Sequence, residues 1–178
     1  PWRDESAKVG LAAREGNPRL LLERFMAKHP DVSQRLKDAR SRDVSFHPIP
    51  LGGPISRTFC PGMLIAGDAA HQVKPTTGGG IVFSLICGKA AGKMAHHASE
   101  TGDTTESFLS EYERQWKSKI GRDLNVMRRI RRMLFRLPDR QLEKIFSVAR
   151  TLEAATVLTK ADDIDMQSRI LARLALDP

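Results

Sequence analysis

Asp68 closes a short apolar stretch, Met63 to Ala66, and stands ten residues before a run of three glycines, Gly78 to Gly80. An ionised carboxylate there accepts hydrogen bonds, typically from the hydroxyls of a sugar-like chain. The end of a buried strand is also where ligands bind in open α/β sheets. Thr77 and the glycines then lead into a helical pattern from about Gly79 to His97. The first N–H groups of such a helix have no internal acceptor and its dipole favours negative charge, so its entrance is an anion seat. Glycine allows a bulky ring or a phosphate to lie directly against that backbone.

The helix repeats the theme, because Gly80, Ser84, Gly88 and Gly92 recur four apart on one face. Each interior glycine costs about 1 kcal/mol relative to alanine, so the row predicts close packing that offsets the loss. Lys89 and Lys93 make the Gly88–Gly92 spacing a poor membrane-dimerisation motif. His71 and Cys60 are nearby titratable groups, but a turn histidine that bonds only the backbone is the commoner case.

The elements that must hold this turn follow from pattern and punctuation. Met63 to Ala66, introduced by Pro61-Gly62 and ended by Gly67, is apolar throughout and predicts a strand buried on both faces, as in a parallel sheet. Residues 43 to 54, "DVSFHPIPLGGP", alternate before prolines and glycines end them, which predicts a strand leading into a loop. Asn17 and Pro18 predict the start of a helix over 17 to 28, and a second helical piece covers 31 to 40. Gly102 and Asp103 break the glycine-rich helix, and Thr104 or Thr105 caps the next. A basic helix follows over 120 to 137, then helices over 139 to 158 and over the final "DDIDMQSRILARLAL".

The totals set the frame for these elements. At 178 residues and 19.8 kDa, with 40% hydrophobic and 28% charged residues, the chain has the size and composition of one soluble globular domain. Its longest uncharged run, Pro75 to Gly88, is shorter than the ~20 residues a membrane-spanning helix needs. Cys60 and Cys87 are the only cysteines, and reduced thiols in a cytoplasmic compartment suit them. Residues 120 to 137 carry six arginines and one aspartate, a net +5 of the total +8. A solvated basic face on a packed helix is the first reading of Arg128 to Arg136, and contact with an anionic membrane surface is the second. Nucleic acid is excluded for want of interleaved stacking aromatics or a recognisable motif. Tyr112, Trp116 and Trp2 read as packing or surface aromatics, and His96-His97 diverge on their helix with no third ligand, so no metal is assigned.

"LIAGDAAHQVKPTTGGGI" resembles the third flavin-binding motif of flavoproteins in the para-hydroxybenzoate hydroxylase superfamily. With "IPLGGP" at 49 to 54 and "GDTTESFLSEYERQWKSKIGRDL" at 102 to 124, residues 17 to 160 resemble the C-terminal half of the geranylgeranyl reductase family. The resemblance implies an α/β, Rossmann-like FAD-binding parent fold, of which this chain is a C-terminal portion, mainly α with a few short strands. Residues 1–58 would end the substrate-binding cap, 59–100 form the strand, turn and helix of the FAD-binding domain, and 101–178 a helical region.

Position by position, it implies that Gly67, Asp68, Ala69, Pro75, Gly78, Gly79, Gly80 and Ile81 hold FAD. Asp68 would bond the ribityl or ribose hydroxyls, and the amides of Gly78 to Ile81 would face the pyrimidine edge of the flavin. Ile49, Pro50, Gly52 and Gly53 would lie where an isoprenoid lipid approaches, with NAD(P)H or ferredoxin as electron donor. Lys74 departs from the family pattern and could stabilise anionic reduced flavin. The chain has no GxGxxG after a strand, so the pyrophosphate half of FAD lacks its usual holder. A C-terminal part of a longer flavoprotein, binding FAD weakly or not at all on its own, is therefore expected. The implied activity is reduction of geranylgeranyl double bonds. The rivals are an aromatic-ring or quinone-type monooxygenase and a non-catalytic helical module on anionic membranes.

Overall fold

A computed structural model describes residues 2–3, 6–151 and 165–166. The chain divides into two compact units, Pro1–Pro48 and Ile49–Pro178.

In the first unit, β1 (Trp2–Arg3) pairs antiparallel with β2 (Ser6–Ala7). Helix α1 (Pro18–Lys28) starts as its sequence predicts: Asn17 Oδ1 accepts from the N–H groups of Arg19 and Leu20, and Pro18 occupies the first helical position. It stops at His29, and Pro30 begins α2 (Pro30–Arg35), which is shorter than the expected 31 to 40. None of the described residues in this unit is fully buried. The strand expected within 43 to 54 does not form. Pro48, Pro50 and Pro54 lack donors, and alternation alone supplies no partner strand.

The second unit opens on a hairpin, β3 (Phe59–Cys60) against β4 (Met63–Leu64), with Phe59 opposite Leu64 and Cys60 opposite Met63. Ile65 N–H extends the ladder to the Thr58 carbonyl at 2.9 Å. This corrects the expectation of a parallel strand buried on both faces: the pairing is antiparallel and Met63 is half exposed. The reason is local, because Gly62 at φ +73° after Pro61 makes a tight turn that returns the chain on itself.

A 3-10 turn (Gly67–Ala70) follows, then α3 (Ile81–Thr101), ended by Gly102 at φ +68°. Thr105 caps α4 (Glu106–Trp116) by accepting from Phe108 N–H, and Asp103 Oδ1 accepts from the Thr105 N–H and hydroxyl. Here the sequence predicted two separate helices, and the structure makes one rod. A π turn (Lys117–Gly121) joins α4 to α5 (Arg122–Leu134) without a break. Helix α6 (Asp139–Thr151) follows; the expected continuation to 158 and the last helix lie outside the described residues, save 165–166.

The core forms where α3 meets this rod. Phe83, Cys87, Ala90, Met94 and Ala98 recur at threes and fours on α3 and pack with Leu109, Tyr112, Trp116, Ile120, Leu124 and Met127. Each large side chain so buried contributes about 1.5–3 kcal/mol. Burial pushes the Cys87 thiol up to about 12, which keeps it protonated and inert.

Candidate functional site

The glycine turn is assembled by backbone bonds within one short loop. Gly67 adopts φ +69° and its N–H donates to Gln72 Oε1 at 2.8 Å; a methyl group in its place would stand 3.1 Å from Ser84 Oγ of α3. The 3-10 turn over Gly67, Asp68 and Ala69 closes when His71 and Gln72 N–H return to the carbonyls of Asp68 and Gly67. His71 sits at φ 55°, and its main-chain N–H donates to the Asp68 carbonyl at 2.9 Å. Further on, Lys74 N–H donates to the Gly79 carbonyl and Gly78 N–H to the Lys74 carbonyl, at 3.0 and 2.9 Å.

This loop brings Asp68 to the entrance of α3. The carboxylate is exposed, and a methyl group on Gly80 would lie 3.0 Å from its Oδ1. Gly80 precedes the helix and no side chain caps it. The first-turn amides, beginning with Ile81, thus open beside an exposed acid, and Ile81 itself is 81% exposed. Gly78 contributes shape rather than a donor, because its N–H is spent inside the loop and its φ is +75°. Above Gly79 lies the end of the Lys74 side chain, whose ammonium is ion-paired with Asp165.

The second glycine loop converges on the first. Ile49 Cγ2 and Leu51 Cδ2 would stand 3.3 and 3.8 Å from a methyl group at Gly78, and Ile55 N–H bonds the Ala70 carbonyl at 3.2 Å. Pro50 is half-buried beside them, Gly52 faces open space, and Gly53 is buried at φ +91° under Arg128 Cδ. Pro75 is buried, and its carbonyl accepts from Arg131 Nη1 at 3.1 Å. Two arginines of α5 therefore brace the two loops from behind.

Sequence reasoning missed the groups that fix the turn from below. Gln72, fully buried, donates through Nε2 to Tyr112 Oη at 3.3 Å, and the Tyr112 hydroxyl donates to the Ile65 carbonyl at 2.8 Å. Burial pushes the Tyr112 phenol up to about 12, so it remains a donor. Alongside, Trp116 Nε1 donates to Thr58 Oγ1 at 2.9 Å, and the Thr58 N–H and hydroxyl donate to Glu113 Oε2 at 2.8 and 3.0 Å. Burial alone would raise the Glu113 carboxyl, but bonds from Lys117 and Thr58 outweigh it and hold it below the usual range. The available signal was weak: one glutamine in the turn, and two helix aromatics whose polar tips need partners when buried.

The small-residue row behaves differently from expectation. Gly88 and Gly92 meet nothing within 4 Å, so no described residue packs closely on them. A groove of about 560 Å³ runs instead beside Gly92, lined by Met63, Leu64, Ala91, Ala95 and Leu109, and it does not include Asp68. His96 and His97 pair with Glu100, and His97 stacks on Phe108 at 5.3 Å. Among the described residues no helix is long and apolar enough to cross a membrane.

Comparison with known proteins gives a consistent result. No family model matches the chain. It is 37% identical over 145 residues to a digeranylgeranylglycerophospholipid reductase of Methanocaldococcus jannaschii, covering 80% of this chain and 37% of that protein. A protein of the same name, numbered 2, from Methanothermobacter thermautotrophicus is 37% identical over 158 residues, covering 86% and 38%. Another of Methanopyrus kandleri is 29% identical over 178 residues, covering 97% and 45%. The chain thus spans less than half the length of these relatives. A crystal structure of a geranylgeranyl bacteriochlorophyll reductase-like protein from Thermoplasma acidophilum superimposes with a TM-score of 0.63 at 20% identity, covering 90% of this chain and 37% of that one. That likeness shows the fold: a mostly helical portion with a few short strands.

Proposed function

Because the chain belongs to the geranylgeranyl reductase family, we propose that it helps form the active site of an FAD-dependent oxidoreductase acting on isoprenoid lipids. When bound, FAD would supply the hydride that saturates geranylgeranyl double bonds. The observation that carries this reading is the exposed Asp68 carboxylate beside an uncapped, glycine-lined helix entrance.

The residues present fit such a group. Gly67 sits at φ +69°, where a side chain is strained, and a methyl group at Gly67 or Gly80 would press on Ser84 Oγ or Asp68 Oδ1 at 3.1 and 3.0 Å, so bare backbone keeps the loop and Asp68 in place. Asp68 would accept hydrogen bonds from ribityl or ribose hydroxyls, with Ala69 beside it in the same turn. The amides from Gly80 and Ile81 onward would stabilise negative charge at the helix entrance. Gly78 and Gly79 would face the ring with bare backbone, and Pro75 would keep the loop rigid. At Gly79 the Lys74 side chain must shift or lie along the ring edge, and its partner Asp165 offsets the charge it would bring.

Ile49, Pro50, Gly52 and Gly53 would line the approach of the isoprenoid chain, since Ile49 and Leu51 lie over Gly78 and Ile49 presents a half-exposed apolar side chain there. The lipid substrate also favours contact with an anionic membrane surface, for which Arg129 and Arg132 stand exposed on α5 and Arg136 just after it. NAD(P)H or ferredoxin would deliver electrons.

The test is expression of the complete open reading frame with a geranylgeranyl glycerophospholipid and a reductant. Flavin absorbance in the purified protein and a product gaining two mass units per reduced bond are expected, and Asp68→Ala should abolish both. Oxygen uptake stoichiometric with product would make it a monooxygenase instead.

A further inference from the structure

The arginines of α5 divide into two sets. Arg128 and Arg131 turn inward onto Gly53 and the Pro75 carbonyl, whereas Arg122, Arg129 and Arg132 stand exposed, with exposed Met133 one turn after Arg129 and Arg136 exposed in the turn that follows the helix. Phe135, half exposed, lies under the Arg131 guanidinium at 4.1 Å. Beyond Pro138 comes α6, which buries none of its residues. Leu142, Ile145, Phe146 and Ala149 form an apolar stripe at threes and fours, Phe146 is 71% exposed, and Val148 borders the stripe on the Ile145 side. Arg150 stands exposed at the edge of that stripe, and Arg140 and Lys144 stand exposed on the opposite face of the helix. Residues 128 to 151 hold eight basic and two acidic side chains, a net +6 of the chain's +8.

We propose that the exposed face of α5 and the apolar stripe of α6 together dock on the interface of an anionic phospholipid bilayer, with Phe135 and Phe146 as the inserted anchors. This rests on the reading of the substrate as a membrane lipid. Charge complementarity selects this occupant. A second copy would bring together two surfaces whose exposed charges, six basic and two acidic, come to net +4, and the apolar side chains Met133, Ile145 and Val148 offer nothing to nucleic-acid phosphates. A basic amphipathic surface with exposed phenylalanine suits a headgroup boundary, where anionic lipid holds the arginines and the acyl region takes the rings.

The position has a functional consequence. Arg128 and Arg129 are neighbours on one helix, so the side that braces the glycine loops lies next to the side that meets the bilayer. Docking would present the Ile49–Gly53 loop to the membrane, and a long isoprenoid chain could pass to it without crossing water.

The test is sedimentation of the 178-residue chain with vesicles, which needs no flavin and so fails or succeeds independently of the redox reading. Vesicles of 30% phosphatidylglycerol in phosphatidylcholine should bind at least tenfold more tightly than pure phosphatidylcholine, with the difference lost in 0.5 M salt. Each of Arg129→Gln, Arg132→Gln and Arg136→Gln should weaken binding about fivefold, the factor for about 1 kcal/mol per charge. Phe146→Ser should weaken it severalfold with an unchanged circular dichroism spectrum. Phe146→Trp, which preserves bulk, should bind fully and show a blue-shifted emission over the unmodified chain when vesicles are added. Equal binding to neutral vesicles, an unshifted Phe146→Trp emission, tighter binding to a 20-nucleotide single strand, or a dimer dissolved by Phe146→Ser would each overturn the proposal.

Discussion

The glycine turn and helix α6 are both exposed at their tips, yet they differ in what lies beneath. Under the turn runs a chain of buried donors and acceptors, Gln72 to Tyr112 to the Ile65 carbonyl, with Trp116, Thr58 and Glu113 beside it. Under α6 there is no comparable support, for none of its residues is buried. The turn's geometry is therefore fixed before any ligand arrives, which is what recognition of a rigid ring system requires. Helix α6 keeps its apolar side chains in water, and their natural destination is another surface.

Truncation of the largest buried ring should expose the contrast most strongly. Trp116→Ala is expected to destabilise the chain by about 3–5 kcal/mol and to take one of its hydrogen bonds from the buried Thr58 hydroxyl, read as a large fall in thermal midpoint. Phe146→Ala, an equally drastic truncation on α6, should change that midpoint little, and a comparable loss would mean that α6 packs more tightly than described. Tyr112→Phe removes the hydroxyl that bridges Gln72 and Ile65, so a loss of about 1–3 kcal/mol is expected by denaturant titration.

Acid should act through the same support. The Glu113 carboxyl has a folded value below its unfolded one, so its contribution is present above the ordinary glutamate range and lost as pH falls through the lowered value. Stability of the chain should thus drop on acidification below about pH 4.5, and Glu113→Gln should flatten that slope in pH-dependent melting. The smallest effect, and opposite in sign, belongs to Gly88→Ala. With nothing within 4 Å, the helix should gain about 0.5–1 kcal/mol, and a loss instead would place a close neighbour on that face.

What was legible in the sequence was local chemistry. Asn17 and Pro18, Gly102 and Thr105 mark helix ends through bonds within four residues, and the structure places them as read. The Asp68 and Gly80 pairing was legible for the same reason, since ten residues of loop suffice to close it. Contacts that span long sequence separations were not. Met63 to Ala66 gave no sign that its partner strand lay just before Pro61, because an apolar run specifies burial but not its neighbour. Arg131 looked like one of several surface arginines until the Pro75 carbonyl was found beside it, 56 positions away. The polar tips of Tyr112 and Trp116 likewise find partners 47 and 58 positions distant.

The π turn between α4 and α5 has a consequence for phasing. Widening that turn by one residue offsets everything after it by about 100° around the rod axis, the angular step of a single residue. Leu124 and Met127 share the core with Leu109, Tyr112 and Trp116 on both sides of the turn, while Arg128 and Arg131 meet the loops. Straightening that turn into ordinary α geometry without removing a residue would leave a perfectly good helix dialled to another setting, whereas excising one residue between 117 and 121 would let the rod close up with the faces after it kept.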